Sequence, residues 1–484
     1  MSNPFEGLKP SNVWKHFNQI LKIPHCSGNE AALGDYIISQ AKKLNLDWKQ
    51  DEVGNVLVSK KASPGKEEAP GIILQGHIDM VCEKNSDVNH DFSEDAIQAE
   101  LKGEWITAKG TTLGSDNGIG VAAALAIMED DSLVHGPLEF LFTVDEETGL
   151  TGATKIKPDF LEGKILLNLD SEDEGVFTIG CAGGADTEIA LPLNRKKEVD
   201  GELFRVKLFG FRGGHSGIDI HKGRGNAIKL LARMLWQVSK TTWFELVDIE
   251  GGNKRNAIPR ESWAEIYLNS SQKESLAVSF KESFDKIYNE HKSVEENAKF
   301  TLQRSEAEKK NPLVPESQAA LINFLFTLPH GVISMHPEME DLVETSTNLA
   351  IVHTHPDHAQ IICSSRSSIA SGLEATRNAI HALSETMGAE INQPEGYPGW
   401  APNLKSEILQ KCKDIYHKIF QKEPEVGAVH AGLECGIIGE KFPGMDMISF
   451  GPTIEHPHSP EERVHTGSVK KFWDFLTAVL AEIA

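Results

Sequence analysis

The sequence predicts an α/β protein with a mixed, largely parallel sheet, into which a second, α+β domain is inserted. Apolar runs typical of buried strands alternate with helical periodicity in the first part of the chain. From residue 186 the pattern changes to hairpin-like material with glycine-rich turns, and after residue 396 the first pattern returns. We therefore expect a discontinuous first domain of residues 1–185 and 397–484, with an inserted domain of residues 186–396.

Each element of the first domain is predicted from the spacing of its apolar residues. Residues 11–23 have helical spacing, with Ser11 as the expected N-cap. A glycine-flanked turn leads into an alanine-rich helix, and unbroken apolar runs indicate buried strands. In chain order the prediction is helices at 11–23 and 30–46, strands at 54–60 and 70–81, a helix at 114–131, and strands at 136–147 and 163–172.

The inserted domain is predicted to use a strand-and-helix unit twice, after which the chain returns to the first domain. Hairpin-like segments open each unit, and amphipathic helices accompany them. The predicted elements are a helix at 226–240 and a strand at 261–270, a strand at 343–352 and a helix at 372–389, and then, in the returning segment, a helix at 404–420, a strand at 446–452 and a helix at 468–484.

The charge balance argues against some classes of partner. The chain carries a formal net charge of −23, which disfavours nucleic acid and anionic membrane surfaces. No apolar run is long enough to span a bilayer. Such acidity suits a protein that gathers cations, although solubility alone also explains it. We therefore expect neither a nucleic-acid partner nor a membrane.

The cysteine pattern and the N-terminal residues indicate a cytoplasmic protein. The cysteines contain no CxxC pair, so we expect free thiols in a reducing compartment rather than a disulfide framework. The first residues, MSNPFEGLKPSNVWKHF, contain no apolar core of a signal peptide. The six cysteines are Cys26, Cys82, Cys181, Cys363, Cys412 and Cys435.

Ionisable side chains cluster at the carboxyl ends of the predicted strands, where α/β proteins form their sites. His77 and Asp79 share one face of a strand, and an aspartate in that position orients a metal-bound histidine. Asp170 directly follows another apolar strand. A solvated histidine beside an aspartate is the alternative for the first pair. Together, the three residues indicate a metal site at this edge of the sheet.

The sequence TVDEETG, residues 143–149, ends a third apolar strand in three adjacent acids. Adjacent carboxylates repel each other unless a cation or a proton lies between them. Two neighbouring glutamates divide the work of a metal site when one binds the ion and the other acts as general base. Glu147 and Glu146 are the candidates for these roles, and Asp145 is expected to be solvated. The alternative is a solvated loop.

Two loop residues complete the candidate ligand set. Asp116 lies in the turn TTLGSDNGIG, whose glycines fit neither a dinucleotide fingerprint nor a P-loop, and its alternative role is a helix N-cap. His458 lies in the turn PHSP, where the alternative is a merely exposed histidine. A two-zinc site is built from a few histidines and carboxylates, one of them bridging. The predicted ligands are His77, Asp116, Glu147, Asp170 and His458.

With these motifs, the sequence resembles the M20 family of metallopeptidases over essentially its whole length, and within that family its dipeptidases. The resemblance implies a discontinuous zinc-peptidase catalytic domain and an inserted lid domain. It also implies two zinc ions, with cobalt or manganese as substitutes. The stretches that carry the resemblance are LQGHIDMV, GTTLGSDNGIG, DEETG, NLDSEDEG, CAGGAD, GGHSG, NAIPRE, HAGLECG and GPTIEHPHSPEE.

For the metal centre, the resemblance implies that Asp116 bridges the two ions. A hydroxide shared by the ions would attack the peptide bond. In this family the peptide bond after the bridging aspartate is often cis. The implied assignment is His77 and Asp170 to one zinc, Glu147 and His458 to the other, Asp79 as the residue that orients His77, and Glu146 as the general base.

For the lid, the resemblance implies that His215 in GGHSG stabilises the tetrahedral oxyanion. Arg366 suits the terminal carboxylate of a substrate because its planar fork binds two oxygens at once. Asn256 and the backbone near Gly432 are the other implied substrate contacts. The alternatives are simple turn roles for His215 and Gly432. Shorter members of the family dimerise through the lid, so a homodimer is one expectation.

The predicted reaction is hydrolysis of unblocked dipeptides, including those that end in histidine. One alternative is an amidohydrolase of N-acyl amino acids that uses the same residues, and comparing an N-acetylated substrate with its free dipeptide distinguishes the two. The other alternative is a metal- or peptide-binding protein without enzymatic activity. Glu146 and His215 would not be needed for binding alone, so their presence favours an enzyme.

Overall fold

The chain forms two compact units, which the computed structural model describes over residues 3–269 and 272–484. Ser270, the last residue of the strand predicted at 261–270, lies outside the described residues, as do Met1 and Ser2 of the N-terminal segment. The first unit comprises Met1–Cys181, Trp400–Ala428 and Leu433–Ala484, and the second comprises Ala182–Gly399 and Val429–Gly432.

The observed division differs in detail from the predicted one. The chain passes between units at Cys181 and Trp400, whereas the predicted boundaries lie at residues 185 and 396. Residues Val429–Gly432 cluster with the inserted unit, although the prediction left them in the returning segment. The reason is local: the N–H group of Ala182 donates to the carbonyl groups of Val429 and Ala431, at 3.1 and 3.0 Å.

Helices and strands alternate through the N-terminal part of the first unit. They are α1 (Ser11–Ile20), α2 (Ala31–Lys43), β1 (Asp47–Gln50), β2 (Val56–Lys60), β3 (Ile72–His77), β4 (Ala99–Lys102), β5 (Trp105–Ala108), α3 (Ser115–Glu129), β6 (Leu138–Thr143), α4 (Glu146–Gly149), α5 (Thr151–Lys155), β7 (Ile165–Asn168) and β8 (Val176–Cys181).

The second unit follows without a break. Its elements are β9 (Gly183–Pro192), β10 (Glu202–Phe209), β11 (Gly214–His215), α6 (Ala227–Ser239), β12 (Glu245–Gly251), β13 (Ala257–Ile258), β14 (Ser262–Leu268), α7 (Lys273–His291), β15 (Lys299–Arg304), α8 (Pro315–Thr327), β16 (Gly331–Met335), β17 (Val343–Thr354), β18 (His358–Ser367), α9 (Ala370–Thr386) and β19 (Glu390–Asn392).

The last part of the chain completes the first unit. Its elements are α10 (Glu407–Phe420), β20 (Glu425–Val429), α11 (Glu434–Lys441), β21 (Asp446–Ser449), β22 (Ile454–Glu455), β23 (Arg463–His465) and α12 (Thr466–Ile483).

The main sheet of the first unit is mixed and has parallel strands at its centre. Within the described residues, eight strands lie in the order β1-β2-β6-β3-β7-β21-β8-β20. The pairs β6–β3, β3–β7 and β7–β21 are parallel, whereas β1–β2, β2–β6 and β21–β8 are antiparallel. The predicted mixed α/β fold is confirmed, and it places the carboxyl ends of four parallel strands side by side.

Helix α3 packs in the interior of the first unit, which explains its composition. All of its residues from Ser115 to Met128 are buried, so it needs small apolar residues on every side rather than one apolar face. Helix α1 has a buried stripe, which includes Val13, Phe17 and Ile20. It begins at Ser11 itself, with Pro10 in the N-cap position. The predicted Ser11 cap is therefore wrong.

The second unit is built on one antiparallel sheet. Among the described residues its strands follow the order β15-β10-β14-β12-β17-β18-β9-β19, with β16 beside β17. Helix α6 buries Ile228, Leu231 and Leu235, which recur at helical spacing. The side chain of Asn226 caps this helix by accepting the N–H of Lys229 at 3.1 Å. This unit carries the predicted lid residues.

The cysteines depart from the prediction at one pair. Cys26 and Cys82 form a disulfide with Cα atoms 5.7 Å apart, so the expectation of free thiols is wrong for these two. The other four cysteines are free and buried. The pair is 56 residues apart in sequence and is brought together by a β-bridge between Cys26 and Met80, which no local motif signals.

Among the described residues, no helix is both long and apolar enough to cross a bilayer.

Candidate metal centre

Three neighbouring strands of the first unit end at one edge of the sheet, and each delivers ionisable side chains there. β3 ends in His77, which pairs with Thr143, the last residue of β6. Asp170 lies two residues beyond the end of β7. Strand β6 leads through a short connection into the helical turn α4, which starts with Glu146 and Glu147. Because β3 pairs in parallel with both β6 and β7, the carboxyl ends of these three strands lie together.

All five predicted ligands come together in two groups that share Asp116. In the first group, Nε2 of His77 lies 3.2 Å from Oδ1 of Asp116 and 3.2 Å from Oδ1 of Asp170. In the second, Nε2 of His458 lies 3.2 Å from Oδ2 of Asp116 and 2.9 Å from Oε1 of Glu147. The two oxygens of one carboxylate thus face two separate clusters of imidazole and carboxylate atoms.

The residues present fit a pair of metal ions. In each group, the ligand atoms lie within 4.8 Å of one another. Oε1 of Glu147 is buried and accepts no hydrogen bond from any described residue, although Nε2 of His458 is 2.9 Å away. Close ligand atoms that make no hydrogen bond with each other are expected where both face one cation. Imidazole and carboxylate donors suit zinc, and carboxylates also suit manganese.

Asp79 lies behind the first group and organises its surroundings. Its Oδ1 is 3.3 Å from Nδ1 of His77, the ring nitrogen that points away from the candidate ion. The same carboxylate accepts the backbone N–H groups of Glu146 and Glu147, at 3.0 and 3.1 Å, and the hydroxyl of Ser27, at 2.7 Å. One buried acid therefore orients a candidate ligand and also fixes the start of α4.

The turn that carries Asp116 is held by a buried acid that sequence reasoning missed. The peptide bond between Asp116 and Asn117 is cis. Glu462, in the otherwise polar run PEERVH, is 2% exposed, and no pattern in that run signals its burial. Its carboxylate accepts five hydrogen bonds of 2.6–3.3 Å, from the backbone N–H groups of Leu113, Gly114, Ser115 and Asp116 and from the hydroxyl of Ser115.

A second buried acid, also missed from the sequence, links the strand ends. Glu434 is fully buried, and its Oε2 accepts hydrogen bonds from Nε2 of Gln75, at 2.6 Å, and from the hydroxyl of Thr143, at 2.7 Å. Oε1 of Gln75 in turn accepts Nδ2 of Asn168 at 2.5 Å. Burial raises the pKa of Glu434 to about 7. A chain of polar contacts thus joins β6, β3 and β7 near the ends that carry the ligands.

Asp145 is not the solvated acid that the sequence predicts. It adopts a positive φ of 51°, and its carboxylate accepts the hydroxyl groups of Thr148 and Thr151. Its backbone N–H donates to Oε1 of Glu30 at 3.2 Å. The acid therefore shapes the turn between β6 and α5, and this turn presents Glu146 and Glu147.

The two candidate histidine ligands hold protons strongly in this arrangement. A hydrogen bond with Asp116 and the nearby carboxylate of Glu147 raise the pKa of His458 to about 11. Burial opposes a charge on His77, but Asp170 and Asp116 raise the pKa of that imidazole well above its ordinary value. Positive charge on the imidazoles balances the surrounding carboxylates, which is the role that bound cations would take over.

The carboxylates divide into those kept ionised and those pushed toward protonation. Burial opposes ionisation of Asp116, but hydrogen bonds from the two imidazoles lower its pKa well below the ordinary range. Burial raises the pKa of Asp170 to about 6, and that of Glu146 well above its usual value. Glu172, two residues beyond Asp170, has its pKa raised to about 8 by burial and by the charges of Asp116 and Asp170.

In the second unit, His215 is arranged as a neutral hydrogen-bond donor. Its Nδ1 accepts the backbone N–H groups of Gly217 and Ile218, at 3.2 and 3.1 Å, so the hydrogen of the neutral ring lies on Nε2. Burial and the charge of Arg366 lower the pKa of His215 to about 4, which keeps the ring neutral. Asn256 lies on the adjoining segment, where its carbonyl accepts the N–H of Ser216 at 2.8 Å.

Arg366 and Gly432 also lie in the second unit and share a neighbour. Arg366 is 7% exposed, and its Nη1 donates to the hydroxyl of Tyr397 at 2.9 Å. Among the described residues, no carboxylate forms an ion pair with Arg366. A Cβ atom at Gly432 would lie 2.8 Å from Cε2 of Tyr397, so only glycine fits there. The five candidate ligands belong to the first unit, as do Asp79 and Glu146. The second unit contains the predicted lid residues His215, Asn256 and Arg366, and it also contains Gly432, which the prediction left in the returning segment.

Comparison with known proteins identifies the family. The model of peptidase family M20/M25/M40 matches residues 73–482. The chain belongs to this peptidase family. It is therefore a hydrolase of the class that acts on peptide bonds.

Two relatives that are 41% identical over nearly the full length are dipeptidases by name. The cytosol non-specific dipeptidase of Escherichia coli K12 is 41% identical over 477 residues, which is 98% of each chain. The crystal structure of aminoacylhistidine dipeptidase from Vibrio alginolyticus has a TM-score of 0.92 and 41% identity, and the match covers 100% of this chain and 98% of that one. An aminopeptidase from Bacillus cereus, with 16% identity and a TM-score of 0.58, shares the fold over 98% of this chain and 99% of its own.

Replacing Glu462 should weaken the metal centre without touching a ligand. Glu462→Gln places an amide N–H₂ group against backbone N–H donors, so the turn that carries Asp116 loses its buried anion. We expect zinc affinity to fall by roughly 10–100-fold, as for other residues that support ligands. Competition with a chromophoric chelator measures this change. Glu461→Gln, at the exposed neighbouring position, is the control, and equal affinity of both variants would contradict the account.

Metal binding by the metal-free protein should release protons and strengthen as the pH rises. A histidine ligates a metal only when the ligating nitrogen is unprotonated, and the raised pKa values of His77 and His458 keep both protonated at neutral pH. Apparent zinc affinity should therefore increase from about pH 6 to about pH 8. Calorimetry in two buffers of different ionisation enthalpy counts the released protons. Affinity that is independent of pH would refute this electrostatic description.

Proposed function

We propose that this protein is a cytoplasmic dipeptidase that uses two zinc ions to hydrolyse unblocked dipeptides, including those that end in histidine. The observation that carries the proposal is the carboxylate of Asp116, whose two oxygens each face a separate histidine and carboxylate. The names of the full-length relatives, a non-specific dipeptidase and an aminoacylhistidine dipeptidase, support the substrate class.

The proposed assignment of ligands follows the two groups. His77 and Asp170 would hold one ion, Glu147 and His458 the other, and Asp116 would bridge them. When bound, the ions polarise the scissile carbonyl and lower the pKa of a shared water, which is the hydroxide source of this reaction class. Cobalt or manganese would serve as substitutes, because both accept imidazole or carboxylate oxygen ligands.

Glu146 is the proposed general base. It is adjacent to the ligand Glu147 in α4, and the contact of its own N–H with Asp79 fixes its position. Burial raises its pKa well above the usual value, and a raised pKa suits a carboxylate that takes a proton from water and passes it to the departing amine. Asp79 would act through position alone, by holding His77 and the start of α4.

His215 is the proposed oxyanion donor. A neutral imidazole with its hydrogen on Nε2 offers one N–H to the oxygen that becomes negative in the tetrahedral intermediate. Arg366, Asn256 and the backbone at Gly432 would bind the substrate, with Arg366 on its terminal carboxylate. Closure of the lid unit over a bound dipeptide would bring these groups to the reaction and exclude water.

An N-acyl amino acid amidohydrolase could use the same residues, because the chemistry at the carbonyl is identical. The difference lies in the free amino group, which a dipeptidase accepts and which an N-acyl substrate lacks. We expect the protein to hydrolyse a free dipeptide at least about 100-fold faster than its N-acetylated form, because a site built to bind a free amino group discriminates strongly against an analogue that lacks it. Equal rates for the two substrates would favour the amidohydrolase.

Glu146→Gln should retain both ions and lose turnover. The amide preserves the shape of the side chain but accepts no proton, so kcat should fall by at least about 10²-fold, the low end for general-base removal. The assay is hydrolysis of a free dipeptide by zinc-loaded protein, with metal content measured on the same sample.

The matched control is Glu162→Gln, which changes an exposed glutamate of the same unit. Its activity should equal that of the native protein. Full residual activity of Glu146→Gln with two ions bound would contradict the assignment of Glu146 as the general base. Loss of metal in Glu146→Gln would instead make this residue a ligand.

A further inference from the structure

Arg366 lies at the centre of a row of residues that crosses three strands of the second unit. In the antiparallel register, Arg366 of β18 is opposite Ser346 of β17 on one side and Gly184 of β9 on the other. Directly opposed residues share one face of a sheet. The side chains of Arg366 and Ser346 therefore project from the same face of the sheet. Gly184 has no side chain, so it leaves a gap beside the arginine on that face.

Tyr397 fills that gap. Its backbone N–H donates to the carbonyl of Gly184 at 2.9 Å, and the N–H of Gly184 donates to the carbonyl of Tyr397 at 3.0 Å. A Cβ atom at Gly184 would lie 2.6 Å from the hydroxyl oxygen of Tyr397, and one at Gly432 would lie 2.8 Å from Cε2 of the same ring. Two glycines from distant parts of the sequence thus make room for one aromatic side chain.

The hydroxyl of Tyr397 contacts the guanidinium directly. It accepts a hydrogen bond from Nη1 of Arg366 at 2.9 Å. On the other side of the row, the hydroxyl of Ser346 lies 2.7 Å from Nε2 of His430. The burial of His430 and the charge of Arg366 lower the pKa of this imidazole to about 3, so it remains neutral. Arg366 is therefore flanked by neutral polar groups on both sides.

The guanidinium is buried but incompletely satisfied. Nε of Arg366 is buried and donates to no described residue, and no described carboxylate forms an ion pair with this side chain. A buried cation without an anionic partner is unfavourable, so the arrangement calls for an anionic ligand. An arginine held in one orientation by a neighbour loses less freedom when that ligand binds.

We infer that Tyr397 is a positioning residue for the terminal carboxylate of the substrate. It holds the Arg366 fork through its hydroxyl, and its ring occupies the space beside Gly432. This inference rests on the proposed function, since it assigns Arg366 to the carboxylate of a dipeptide. It predicts that the hydroxyl matters for ligands with a free carboxylate and not for the matching carboxamides, because only a carboxylate pairs with the guanidinium.

Tyr397→Phe tests the inference because it removes one oxygen and keeps the ring. The probes are a dipeptide analogue with a reduced peptide bond, which cannot be hydrolysed, and its C-terminal carboxamide. Calorimetry on the zinc-loaded full chain gives Kd for both probes. We expect Tyr397→Phe to raise Kd for the carboxylate probe by about 5–10-fold, the effect of one typical hydrogen bond, and to change Kd for the carboxamide by less than about twofold.

Two further variants make the test specific. Tyr267→Phe removes a buried tyrosine hydroxyl elsewhere in the same unit, where it donates to the carbonyl of Lys310 at 3.2 Å, and should leave both Kd values unchanged. In an Arg366→Lys background, Tyr397→Phe should have little additional effect, because the fork that Tyr397 positions is gone. KM for a cleavable dipeptide should rise with Kd while kcat changes less.

The outcomes separate this inference from the proposed function. An unchanged Kd in Tyr397→Phe, or an equal loss for the two probes, would overturn the inference while native dipeptide hydrolysis still supports the function. If the native protein hydrolysed no dipeptide, the proposed function would be contradicted. The inference would then be tested only by the Kd values of the two probes. A native protein that does not prefer the carboxylate probe to the carboxamide would overturn it as well.

Discussion

The carboxylate of Asp116, held between His77 and His458, is the contact on which the candidate centre depends. Parallel strands that end side by side bring several acids to one edge of the sheet, and such acids repel each other. The imidazoles of His77 and His458, whose pKa values are raised against the cost of burial, balance part of this charge when they are protonated. Two divalent cations would balance it better, because each would face one oxygen of the shared carboxylate.

Much of the surrounding structure keeps this carboxylate in place. Glu462 binds the backbone of the turn that carries Asp116, and Asp79 fixes both His77 and the start of α4. Glu434 joins the strand ends through Gln75 and Thr143. Each of these supports is itself a buried acid saturated on at least one oxygen, so the centre is rigid where its ligands attach.

The candidate ligands could be predicted from the sequence because each follows a local signal. Apolar runs indicate the strands, and His77, Asp170 and the acids after Thr143 lie at the ends of these runs. Because sites in α/β proteins form at the carboxyl ends of strands, these residues are predicted to lie together. Glu462 could not be predicted, since the turn that it binds lies 347 residues away at Ser115. Tyr397 could not be predicted either, because Arg366, Gly184 and Gly432 contact it from separate segments and no local pattern signals these contacts. The prediction of free thiols was wrong at Cys26 and Cys82 for the same reason, because a β-bridge between segments that are distant in sequence brings the two cysteines together.

In the proposed function, metal chemistry belongs to the first unit and recognition of the substrate to the second. The proposed metal chemistry depends first on whether Asp116 bridges two ions. Anomalous diffraction at the zinc edge from a zinc-loaded crystal tests this most directly. We predict two peaks about 3.5–4 Å apart, one beside each oxygen of Asp116. A single peak, or two peaks of which only one contacts Asp116, would contradict the account.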